Sequence, residues 1–108
     1  MATLAFYEEP SEGIDVDKEL EALEANRLAD VRTILTKANA VIKTNSGDIY
    51  DSNTWGTLYR LESNRCFAFL RHAPLATNQW VLVMCGMWSD ETSQLSEASR
   101  RFKESKNM

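Results

Sequence analysis

Three arginines and the chain's one histidine, Arg60, Arg65, Arg71 and His72, cluster on strand-like sequence in the middle of the chain. Together they form a set that can act on a phosphate. Guanidinium groups stabilise the charge that develops on a phosphoryl centre in its transition state. A proton-transfer group then serves the attacking hydroxyl or the leaving oxygen. RNA cleavage without a metal requires little else, and Tyr59 or Trp88 can supply a ring for base stacking. Arg65 and Arg71 share strand parity, so both face one side of a regular strand. Arginines are also common on solvent-facing strands, so the set is a candidate site and no more. Other chemistries find less support. His72 is the sole base for a serine-type triad and sits at a strand end beside Pro74. The scattered carboxylates form no acid pair. Cys66 and Cys85 with His72 match no zinc spacing, and both cysteines lie in apolar runs that suit buried free thiols. No metal and no cofactor is expected.

The elements that position these residues follow from periodicity. Thr3–Tyr7 favours a strand, is stopped by Pro10 and Gly13, and is expected at an edge. Asp15 or Asp17 can cap the helix that follows. Val16, Leu20 and Leu23 recur at helical spacing, and so do Leu28, Val31, Leu35, Ala38 and Ile42. The stripes change phase at Asn26 and Arg27, which predicts a helical hairpin or a sharp kink. Asn45 to Asp48 form a turn, and Ile49–Thr54 reads as a loop. Strands are expected near 57–62 and 65–71, joined through Glu62-Ser63-Asn64. A turn at Ala73–Asn78 containing Pro74 leads into Gln79–Met87, whose nearly unbroken apolar run suits a central strand covered on both faces. Leu95, Ala98 and Phe102 give a closing helix. The order β-α-α-β-β-β-α defines an α+β fold in one domain, residues 1–108. In it a small antiparallel sheet is packed by an N-terminal helical hairpin and a C-terminal helix lying on one side.

Composition narrows the setting. With 44% apolar and 26% charged residues in 108, the chain is ordinary globular material. The longest apolar run, Trp80–Met87, is far short of the roughly 20 residues a bilayer span needs, so no membrane association is expected. Glu8 and Glu9 stand where a secretory leader would be basic, which with the free thiols points to the cytoplasm. The net charge of −4 is unevenly spread. Residues 1–32 carry nine acidic side chains against three basic ones, and residues 33–108 carry seven against nine. An acidic segment of this kind either repels nucleic acid or imitates it toward a basic partner.

Leu58-Tyr59-Arg60-Leu61, Arg65-Cys66-Phe67-Ala68-Phe69, the Trp80–Gly86 run and Glu97-Ala98-Ser99-Arg100-Arg101, taken in this element order, resemble the RelE/HigB superfamily of type II toxins, particularly its phage-encoded branch. These are small ribosome-dependent mRNA endonucleases and their relatives. The resemblance implies that Arg65 contacts the scissile phosphate, that Arg60 adds charge before the turn, and that Arg100 in the closing helix is structural. Arg71 and His72 are additions of this chain. It also implies a cognate antitoxin or other protein partner, and contact with the ribosome and mRNA. The chain departs from the family after Gly86, where a lysine or arginine is usual and Met87-Trp88-Ser89-Asp90 stands instead. Losing one transition-state donor costs roughly two to three orders of magnitude in rate.

Two expectations follow. The first is a RelE/HigB-like toxin-fold protein, a possible metal-independent endoribonuclease with an incomplete basic site. The second is a non-enzymatic acidic binding protein on the same scaffold, for example a phage-encoded inhibitor of a host factor.

Overall fold

The computed structural model describes residues 3–73 and 79–105. In chain order the elements are β1 (Thr3–Phe6), β2 (Glu8–Glu9), a 3₁₀ turn (Pro10–Glu12), β3 (Ile14–Asp15), α1 (Val16–Thr44), β4 (Ile49–Asn53), β5 (Gly56–Ser63), β6 (Cys66–Ala73), β7 (Gln79–Met87) and α2 (Glu91–Glu104). Five strands form one sheet in the order β1-β7-β6-β5-β4, and β2 pairs with β3 separately. The chain is α+β as expected, but the sheet is mixed rather than antiparallel, because β1 runs parallel to β7. The turn predicted at Pro74 falls on residues 74–78, outside the described residues.

The helices also depart from the expected single layer. β5, β6 and β7 are in register at Thr57↔His72 and His72↔Trp80, and alternation puts these three side chains on one face. That face meets α1: Val41 packs beside Tyr59 across Gly47, and Lys37 donates to the Glu62 carbonyl. Arg71 and Phe69 point the other way, toward α2, where Arg71 reaches the Ser105 carbonyl and Trp55 meets Phe102. With a helix on either face, β7 is buried from Trp80 to Cys85, which accounts for its unbroken apolar run.

α1 settles the phase change at Asn26 and Arg27. Arg27 leaves the helical region (φ −139°, ψ 45°), and the helix bends there. Before the bend Glu19 lies against β7. After it, Asp30 meets the β5–β6 turn and Lys37 follows β5. The second half buries Val31, Ile34, Ala38 and Val41, one residue out of phase with the expected Leu35 and Ile42, which are only half-buried. Leu28, beside the bend, is 46% exposed. Asp15 caps the start by accepting the Asp17 N–H at 3.1 Å, and Asn45 ends the helix in the left-handed conformation.

The expected loop at Ile49–Thr54 is instead the edge strand β4. Its polar sequence misled the periodicity test because an edge strand is covered on few sides. Its edge is blunted by a register irregularity between Ile49 and Asp51, and the Asp51 carboxylate accepts the Ser52 N–H at 2.8 Å. At the opposite side β1 accompanies β7 only as far as Phe6↔Leu82. Beyond that point side chains replace a strand. Arg101 donates to the Val83 carbonyl at 3.1 Å, and Glu19 accepts the Cys85 N–H at 3.5 Å. The two side chains are joined by a pair of 2.9 Å bonds, and Glu97 takes Arg101 Nε at 2.7 Å.

This clamp generates a stability prediction. Arg101 is 6% exposed, so Arg101→Ala leaves Glu19 and the Val83 carbonyl without their partner and is expected to lower the urea unfolding free energy by about 3 kcal/mol. Glu97 is held down to about 2 from 4.5 by hydrogen bonds from Arg100, working against burial, with Arg101 adding to the effect. A depressed carboxylate stabilises the fold above its unfolded value, and that contribution is lost as pH falls through the folded one. The urea midpoint is therefore expected to fall from pH 4.5 toward 2, and Glu97→Gln to flatten that fall.

Candidate functional site

Trp88 organises the end of the sheet where chemistry was expected. β7 ends at Met87, so the Trp88 ring folds onto the α2 face, stacked on Phe67 at 4.1 Å and edge-on to Phe69 at 6.3 Å. Its backbone N–H donates to the Arg65 carbonyl at 2.8 Å, and Arg65 Nη2 returns a 3.4 Å bond to the Trp88 carbonyl. Arg60 lies over the ring, 4.9 Å from its centroid. Arg60 and Arg65 thus both contact Trp88. The stacking surface is nonetheless covered, by Phe67 and by Arg60.

The charge there is largely balanced. Glu62 is ion-paired to Arg60, and Glu91 Oε1 lies 3.7 Å from Arg60 Nη2. Asp90, capping α2, has its carboxyl below the usual range because Ser93 donates to it from both hydroxyl and backbone. Arg65 is exposed and forms no ion pair among the described residues. A phosphate arriving here meets one guanidinium that has no ion pair among the described residues, that of Arg65, and the carboxylates of Glu62, Asp90 and Glu91.

Arg71 and His72 stand elsewhere. Arg71 is 2% exposed, bonded to the Ser105 carbonyl and, at 3.2 Å, to the Trp55 carbonyl. Burial pulls its pKa down. Gly56 admits the guanidinium, since a Cβ there would lie 3.2 Å from Arg71 Nε and 2.6 Å from the His72 carbonyl oxygen. The shared parity of Arg65 and Arg71 does not bring them together, because Arg65 lies in the turn before β6 and Arg71 lies under α2. His72 is on the α1 face, stacked on Trp80 at 4.1 Å, with burial lowering its pKa. Adjacent residues on one strand cannot serve one site from opposite faces.

Several polar residues that organise the structure were not singled out in the sequence. Asp30 is buried, accepts from Ser63 at 2.9 Å and Asn64 at 2.5 Å, and so pins the helix bend to the β5–β6 turn. These bonds, Asn64's first, hold its carboxyl below the usual range. Its position directly before the buried Val31 was a usable signal. Glu9 and Glu19, both in the acidic segment, are taken up by Arg100 and Arg101. Cys66 and Cys85 are free and buried, and burial pushes the Cys85 thiol up to about 12, far from a nucleophile's range. Among the described residues no His, Cys, Asp and Glu side chains group in a way that could hold a metal ion, and no helix is long and apolar enough to cross a membrane.

Comparison with protein-family models, with curated proteins and with solved structures finds no match to this chain.

The arginines divide by role in a measurable way. Arg65→Ala removes an exposed side chain and is expected to leave thermal stability within about 0.5 kcal/mol of the parent. Arg71→Ala strands the buried Ser105 carbonyl and the part-buried Trp55 carbonyl and opens a cavity, and is expected to cost about 3 kcal/mol or more by chemical denaturation.

Proposed function

We propose that this chain is a non-enzymatic binding protein whose acidic face docks a basic partner. One observation carries this reading: the four residues suited to RNA cleavage lie in three separate settings, an exposed turn and a carboxylate-balanced cluster at Trp88, a buried pocket under α2, and the α1 face. Proximity and orientation supply a large part of any rate enhancement, and dispersed groups forgo it. Meanwhile Glu8, Glu12, Asp17 and Glu21 are exposed, Glu24 is half-buried, and none of the five enters an ion pair among the described residues. Asp17, Glu21 and Glu24 follow one another at helical spacing on one flank of α1. Such a field favours association with a basic surface and weakens with salt. The scaffold in this proposal is RelE/HigB-like, supported by the order of first strand, bent helix, hairpin-connected strands and closing helix. A cytoplasmic setting is supported by the two free buried thiols.

The joint variant Asp17→Lys, Glu21→Lys, Glu24→Lys tests it in a pull-down from host lysate. The parent is expected to retain a stoichiometric basic partner at low salt, and the variant to lose it while keeping the same circular dichroism spectrum. Absence of such a partner, or its equal retention by the variant, would overturn the reading.

The meeting of Arg60 and Arg65 at Trp88 favours a second reading, a toxin-fold endoribonuclease partnered by an antitoxin and acting on ribosome-bound mRNA. It requires transcript cleavage during translation that Arg65→Ala abolishes. Intact transcripts and unimpaired growth on expression are the outcome expected from the first reading.

A further inference from the structure

Among the described residues, the last part of β5 runs past its neighbour β4. β4 begins its pairing with β5 at Ile49↔Tyr59, and the Asp48 carbonyl just before it accepts the Arg60 N–H at 2.8 Å. Backbone groups alternate in direction along a strand, so the N–H and C=O of Glu62 point to the same side as those of Arg60, past the reach of β4. They open onto a cleft of about 360 Å³, within the range of small-ligand sites, with Ala40, Val41 and Leu61 among its walls. Gly47 closes one side, its backbone held so near α1 that a Cβ would lie 2.8 Å from Val41 Cγ2. Lys37 enters from α1 and donates to the Glu62 carbonyl at 2.6 Å, which uses one of the three protons on its ammonium. Of the two acidic residues on the lining, Glu62 has its carboxylate held by Arg60, and Asp48 forms no ion pair with Lys37 among the described residues.

We propose that this cleft captures the free C-terminus of a partner chain, bound in extended form along the open edge of β5. Each part of the site selects one feature of that ligand. The Glu62 N–H, which has no strand partner among the described residues, calls for a main-chain carbonyl, as in strand addition. Lys37 supplies the charge complement to a terminal carboxylate, and Ala40, Val41 and Leu61 receive an apolar last side chain. A chain end fits better than a continuing strand because β5 gives way to the turn after Ser63 and Lys37 already holds the Glu62 carbonyl, which leaves the Glu62 N–H to be paired. The cleft shares no residue with the acidic face on α1.

The test is a titration of ¹⁵N-labelled protein with an acetylated tetrapeptide of threonine and valine bearing a free carboxylate, followed by amide shifts. The Glu62 amide is expected to move most, and both the C-terminally amidated peptide and Lys37→Met to weaken binding roughly tenfold, as loss of a charge-assisted bond predicts. Glu62→Pro removes the outward N–H without breaking a bond to β6, and proline is tolerated at such an edge. It is expected to abolish binding, whereas Glu62→Ala, which keeps the N–H, retains it. Equal binding of acid and amide, equal binding by Glu62→Pro and Glu62→Ala, or sodium acetate shifting the same amides as strongly as the peptide would each overturn the proposal. Should Glu62→Pro not fold, Lys37→Met and the amidated peptide decide the matter alone.

Discussion

The contact on which the rest of the molecule depends is the paired hydrogen bond between Arg101 and Glu19. β7 is buried from Trp80 to Cys85, yet its neighbour β1 departs after Leu82. Without replacement partners, the edge beyond would place unpaired backbone groups inside the protein. Arg101 comes from α2 and Glu19 from α1, so their meeting at this edge also fixes the two helix layers to each other around the sheet. Burial opposes the charge on Arg101, but Glu19 and Glu97 outweigh it and its pKa is raised. An isolated buried ion pair is often neutral in its effect on stability. This one is different because its atoms also satisfy the strand.

The same architecture divides the residues that looked catalytic. A sheet covered on both faces turns alternate strand positions toward different helices, so Arg71 is enclosed by α2 and His72 rests against Trp80 under α1. At the open end Trp88 occupies the place where a cation was expected, and Arg60 is drawn onto its ring between two carboxylates. Trp88, which stands where a cation was expected, is therefore also the residue that orders this end of the sheet.

Much of this was legible in the sequence. The apolar run of β7 announced a doubly covered strand, and Asn26-Arg27 marked the bend by its change of phase. Strand parity could have separated Arg71 from His72, but as neighbours in sequence they read as one set. What remained hidden has physical causes. The polar β4 carries no alternation because it lies at an edge, and Ile34 took the place of Leu35 because the second half of α1 is set by its own contacts with β5 and β6. Glu19 and Asp30 read as members of a solvated acidic face, since no local pattern reveals a partner contributed from far along the chain.

The pairing of β1 with β7 has a consequence for the order of folding. Thr3 lies opposite Gln79, so the outermost strand must find a partner 76 positions away, whereas β5, β6 and β7 follow one another as neighbours. Closing a long loop costs more entropy than closing a hairpin. The meander is thus the natural nucleus, and β1, which is synthesised before it, must wait for β7. Until the two strands meet, the far side of β7 stays uncovered, which leaves the nascent chain exposed to mispairing along a strand that the finished protein buries.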